Sequence, residues 1–158
     1  MSLRNARCGY LVRAGLVLLV GGFLAGCGTA ASAPDPLEVT IFDNGNILAV
    51  FNNPTAPTVF TTTKTHKLTF VSNYHWNDAH GQPAGTIWLT NGTGQTLGPW
   101  TVTTRPGQGG VPNAYWDAVP NLVIPPGTYT VGDSSPATWS QNPTSGGRGF
   151  TSVKGVVQ

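Results

Sequence analysis

Two histidines and an aspartate stand close together in FVSNYHWNDAHG, residues 70–81: His75, Asp78 and His80. Together they would make a two-histidine, one-carboxylate metal site. Zinc takes three or four protein ligands. The remaining histidine, His66, lies nine residues back along the same strand pattern, about 30 Å away at full extension. The alternative for this stretch is a core strand running into a solvated loop. Glycoside hydrolysis needs two carboxylates roughly 5 to 9 Å apart. The folded part offers only Glu38, Asp43, Asp78, Asp117 and Asp133, a sparse set for a glycosidase. DNGN, residues 43–46, imitates half a calcium loop, but no acid follows where the loop needs its last ligand. The set names no cofactor, while structural calcium on loop carbonyls and aspartates stays open.

Tryptophan is the unusual residue. Trp76, Trp88, Trp100, Trp116 and Trp139 all fall in the C-terminal four-fifths of the chain, where charged residues are scarce. An indole offers a broad apolar face and one N–H donor, which suits stacking on sugar rings. Trp88 sits inside an apolar run and reads as core. Trp100, Trp116 and Trp139 neighbour Gly/Pro loops and read as rim residues. Trp76 ends a strand beside a polar loop, with His75 and Asn77 as candidate companions in one wall of a binding surface. Arg148, in SGGRG, is a loop cation able to reach a ligand.

The elements that must position these residues are strands. No long segment keeps a 3.6-residue period, and Gly and Pro interrupt every few positions. Thr, Val, Trp, Tyr and Phe fill the intervals, a strand composition. LEVTIFDNGNILAVF predicts two strands joined by a type I′ turn at Asn44-Gly45. HKLTFVSNYHW predicts one strand with Leu68, Phe70, Tyr74 and Trp76 on a shared face. GTIWLTN and LGPWTVTT predict a pair around Asn91-Gly92. Pro126-Gly127 fits a type II turn, after which Tyr129 and Val131 share a side. Eight or more short strands at this spacing predict an all-β domain, a single jelly-roll-like antiparallel β-sandwich over 37–158.

The first residues have a different character. Arg4, Arg7 and Arg13 precede an apolar run, Leu16 to Gly26, too short to span a bilayer comfortably. The run ends in LAGC, Leu24 to Cys27, and resembles the lipobox of bacterial lipoproteins. That resemblance implies a signal peptide over 1–26, cleavage before Cys27 and lipid on its sulfur. Two or more acyl chains anchor stably where one does not. A tether of small residues and prolines, 27–36, follows. Gly28 is not the aspartate that resembles an inner-membrane retention signal, so the expected location is extracytoplasmic and membrane-anchored, on the outer membrane in a Gram-negative source. Removing the leader leaves five basic residues against six acids. No basic face remains for nucleic acid. With Cys8 cut away and Cys27 lipidated, no thiol or disulfide is left.

The rest of the chain resembles an uncharacterised extracytoplasmic β-sandwich domain family of bacteria and archaea. The residues that carry this are YHWN at 74–77, PAGTIWL at 83–89, GPW at 98–100, PGQGGVPNAYW at 106–116 and PPGTYTVGDSSPATWSQN at 125–142. It implies a shared sandwich and secretion, without an assigned chemistry. GDSS, Gly132 to Ser135, resembles the serine motif of one lipase and esterase group, but no late Asp-x-x-His accompanies it and the predicted fold is not α/β. The expectation is therefore a non-catalytic binding module with envelope glycan or another extracellular polymer as its ligand. A structural or adhesive domain binding protein partners is the alternative, and a hydrolase is third.

Overall fold

The computed structural model describes residues 37–158. The leader, Cys27 and the tether lie outside the described residues. Ten strands form two antiparallel sheets. One sheet runs β1 (Glu38–Asp43), β10 (Thr151–Val157), β3 (His66–Tyr74), β7 (Tyr115–Ala118) and β6 (Thr103–Arg105), with β8 (Leu122–Ile124) also on β3. The other runs β2 (Val59–Thr62), β9 (Gly127–Asp133), β4 (Thr86–Asn91) and β5 (Thr96–Thr101).

The pairing is nested. β1 lies on β10, β2 on β9, β3 on β8, and β4 on β5. The chain is thus one long antiparallel ribbon, closed at the β4–β5 turn and rolled so that successive pairs alternate between sheets. That is a jelly roll. At the closing turn Asn91 Oδ1 accepts from the amides of Thr93 and Gln95.

Two turn expectations fail. β1 pairs with the C-terminal strand, not with a partner across Asn44-Gly45. A type I′ turn needs positive φ at both central residues, and neither residue has it. Gly127 likewise lacks the positive φ of a type II turn and opens β9 directly.

The core lies between the sheets. Leu68, Val71, Trp116, Ala118 and Val153 from one sheet meet Phe60, Ile87, Leu89, Tyr129 and Val131 from the other. The rings of Phe42, Phe60 and Tyr129 stack in series at 5.9 and 5.5 Å. A β-bulge decides which β3 residues enter this core. Lys154 pairs with Phe70 and Gly155 with Leu68, so Thr69 is the extra residue. Leu68 and Val71 therefore both point inward, followed by Asn73 and His75. Phe70, Ser72, Tyr74 and Trp76 face outward. The expected shared face of Leu68 with Phe70, Tyr74 and Trp76 is broken at the bulge.

Tyr129 is buried, and its hydroxyl donates to the Pro125 carbonyl at 2.8 Å. Burial pushes its pKa above the ordinary phenol value of 10.0. The fold holds the neutral phenol better than the unfolded chain does. Its contribution is complete below about pH 10 and is lost as pH rises through the folded value. Urea midpoints at about pH 9 and about pH 11 should fall less for Tyr129→Phe than for the parent, although the variant starts about 1 kcal/mol lower for the lost hydrogen bond.

Candidate functional site

The outward residues of β3 build a second, smaller apolar cluster on the outside of the six-stranded sheet. Tyr74, Val111, Ala114 and Phe150 are buried in it, with Val50, Trp76 and Tyr115 packed around them. The loop that follows β1, residues 44–51, folds over this face. Between loop and sheet lies a cavity of about 630 Å³, well within the range of small-ligand sites. Trp76, Tyr74, Tyr115 and Phe150 supply its aromatic walls, Ile47 and Leu48 its lip, and Gln108 and Ser152 polar groups.

The loop wall is pinned by amides. Asn46 and Asn142 exchange reciprocal side-chain hydrogen bonds at 3.2 and 2.7 Å. Asn142 also donates to the Ala49 carbonyl and accepts from the Ser145 amide. Asn44 donates to the Gly149 carbonyl and accepts from the Thr151 amide. Asn142 is 1 % exposed, so these bonds are sheltered from competing water. On the sheet side, Tyr74 and Tyr115 rings lie 4.7 Å apart. The Tyr74 hydroxyl accepts from the Gln108 amide at 3.3 Å. Burial, first, raises the Tyr74 pKa against the lowering effect of that amide, so the wall presents neutral phenol. Arg105 stacks over Tyr115 at 3.7 Å and donates to Asp117 at 2.6 Å.

Of the expected binding residues, Trp76 alone lines this cavity. His75 is overturned as a wall residue: the pleat turns it to the opposite face, where it is fully buried. Asn77 is spent on its own loop. Asn77, Asp78 and Ala79 all have left-handed φ of 46, 52 and 66°, and the Asn77 amide donates to the Gly81 carbonyl at 2.7 Å. Trp116 is not a rim residue but core, 0 % exposed, with its N–H donated to the Gln82 carbonyl. Trp139 is also buried, its N–H donated to the Phe150 carbonyl, and it lines a separate hollow of about 290 Å³ with Pro54, Pro57 and Pro136. Trp100 is half-buried on β5, away from the cavity, and Arg148 is exposed in a loop that bridges to Ala56. Trp88 reverses its expectation as well. It is half-buried outside the four-stranded sheet, lying across Gly132, where a Cβ would meet its ring at 2.1 Å.

The metal reading of His75, Asp78 and His80 finds no support in the geometry. His75 is inside, whereas Asp78 and His80 are exposed. Asp78 contacts Asn52 at 3.4 Å and His80 the Asn77 carbonyl at 3.1 Å. Among the described residues no three His, Cys, Asp or Glu side chains group around a point that a metal could fill.

The partner of His75 is Asp133, from the GDSS segment at the end of β9. Nε2 of His75 and Oδ2 of Asp133 are 3.1 Å apart, both side chains wholly buried. A carboxylate only accepts, so Nε2 carries the hydrogen. Asn73 donates to the same oxygen at 2.7 Å, and the Ser135 amide to the other at 2.7 Å. Thr151 donates to Asn73, and Thr138 meets His75 Nδ1 at 3.0 Å. The His75 ring lies 4.1 Å from that of Trp116. Thr138, His75 and Asp133 have the composition of a hydrolase relay. Neither His75 nor Asp133 lines either cavity, so as it stands the trio joins one sheet to the other. Only the spacing of inward positions along β3 could have flagged His75 and Asn73 as interior, and the bulge hides it.

The chain matches no protein-family model, no curated protein and no solved structure.

Removing the Asp133 carboxylate would strand two buried donors, on His75 and Asn73, and the half-buried Ser135 amide. Asp133→Ala should lower stability by on the order of 3 kcal/mol or more, and Asp133→Asn by less, read from urea midpoints at unchanged slope. A loss near that of a surface substitution would show that the sheets do not depend on this tie.

Proposed function

We propose that this is a lipid-anchored cell-envelope protein, acylated at Cys27, whose jelly roll is a non-catalytic binding module for glycans. The observation that carries the reading is the aromatic-walled cavity on the outer face of the six-stranded sheet. Trp76, Tyr74 and Tyr115 offer stacking surface beside hydroxyls and amides, the mixture that sugar rings with apolar faces and polar rims require. Position agrees with this. β1 begins at Glu38, just after the tether, and its other end, Asp43, forms the cavity's lip. The five steps of β1 from Glu38 to Asp43 set the two about 17 Å apart.

A second reading has an observation of its own. Ile47, Leu48 and Phe51 are 84, 58 and 60 % exposed along the same loop, and an apolar strip of this kind also suits a protein partner. The adhesive reading then uses the loop's outer side and leaves the cavity empty.

Titration calorimetry of the purified protein against a glycan panel separates the two. Binding should weaken at least about tenfold in Trp76→Ala, which removes a stacking face worth about 1.5 kcal/mol. It should persist in Phe51→Ser. The converse pattern, with association of the protein with itself or another protein lost in Phe51→Ser, would support the adhesive reading. Cys27→Ser should leave the chain out of the membrane fraction.

A further inference from the structure

The charge of the cavity narrows its ligand. Sixteen residues line it, and Asp43 is the only one that carries charge. Among the described residues, the cations of this outer face lie outside the lining. Arg105 is held by Asp117 at 2.6 Å and stacked on Tyr115. Lys154 sits over the Phe70 ring at 5.4 Å. Lys67 stands at the opposite end of β3.

Part of the lining's hydrogen-bonding capacity is committed within the protein, while the side chains of Gln108 and Ser152 and the Tyr115 hydroxyl keep theirs for a ligand. Ser72 donates its hydroxyl hydrogen to Asp117 at 2.6 Å, which leaves the cavity only lone pairs. Thr151 donates to Asn73, and Asn73 to Asp133. The Asn46 oxygen accepts from Asn142 and from the Leu48 amide, and one of its two N–H groups goes to Asn142. Asp43 accepts from the Gly45 amide through one oxygen and makes no hydrogen bond with the other. An anion entering this space would find hydroxyl and amide donors on Tyr74, Gln108 and Ser152, but one carboxylate and no cation among the described lining residues. A hydroxyl-rich neutral ring would donate to the Ser72 and Asp43 oxygens and stack on Trp76.

We infer that the cavity accepts glycan segments without anionic groups, neutral or N-acetylated sugars, and excludes uronate-, sulfate- or phosphate-bearing ones. The inference rests on the glycan-binding reading and adds the selection.

The test compares two trimers of equal length by calorimetry at low salt, where charge effects are least screened. One is N,N′,N″-triacetylchitotriose and the other trigalacturonate, each titrated into the purified full-length protein. The neutral trimer should bind about tenfold tighter or better, and Asp43→Lys, an exposed change that supplies the missing cation, should narrow the gap. Equal or tighter binding of trigalacturonate overturns the inference and leaves the binding module standing. A gap unmoved in Asp43→Lys overturns it too, as does neutral binding undiminished in Trp76→Ala, which would put the ligand elsewhere. Failure of both trimers to bind overturns the inference and the glycan reading together.

Discussion

One extra residue in β3 sets the two faces of the larger sheet. Side chains on a strand alternate strictly, so a one-residue insertion exchanges every face beyond it. Thr69 is that residue. Before it Leu68 points into the sandwich. After it Val71, Asn73 and His75 do so, and Ser72, Tyr74 and Trp76 are delivered to the outside. Without the bulge, Tyr74 and Trp76 would be driven into the core and the outer cavity would lose its walls.

The inward half of this arrangement places polar groups where only apolar ones are cheap. Asn73 and His75 are buried at the end of the sandwich where β3 leaves its sheet. Asp133, from the opposite sheet, meets both, and the backbone amide of Ser135 and the hydroxyls of Thr151 and Thr138 satisfy the remaining valences. A half-satisfied network of this kind would be worse than an apolar core. The outward half is organised by a different set of amides. Asn44 and Asn46 tie the 44–51 loop to the segment that leads into β10. The cavity therefore has one wall on the sheet and one on a loop that is fixed at its base and apolar at its tip.

The fold class was legible because all-β composition and turn spacing are local signals. The β4–β5 hairpin at Asn91-Gly92 and the shared side of Tyr129 and Val131 followed from the same local rules. The β1–β10 pairing was not legible, since Asn44-Gly45 carries the hairpin pair of residues but sits in a loop held by distant partners. Trp116 and Trp139 looked like rim residues from their Gly/Pro neighbours. In the structure the sequence neighbours Gly109, Gly110 and Gly146 do lie in open space, but each ring packs on a glycine from elsewhere in the chain: a Cβ at Gly85 would lie 2.5 Å from Trp116, and one at Gly149 would lie 2.1 Å from Trp139. The glycines that bury these indoles are distant in sequence, so no local signal shows the packing. Trp76 was placed beside a surface loop, and it lines the cavity. Strand alternation sets His75 on the face opposite Tyr74 and Trp76, and the structure keeps that alternation to the strand's end, so His75 turns inward and leaves the wall to Trp76.

The central claim is that the β3 bulge delivers Trp76 to an open wall on the outer face, while Trp116 and Trp139 are sealed inside. Exchange of the five indole N–H hydrogens in deuterated water, followed by nuclear magnetic resonance, tests it most directly. Trp116 and Trp139 donate to the Gln82 and Phe150 carbonyls from buried positions, whereas Trp76 makes no such bond and its indole nitrogen is not among the buried, unpartnered atoms. The account predicts that the Trp76 signal is lost at once while those of Trp116 and Trp139 persist until the domain opens. Rapid loss at Trp116 or Trp139, or lasting protection at Trp76, would contradict it.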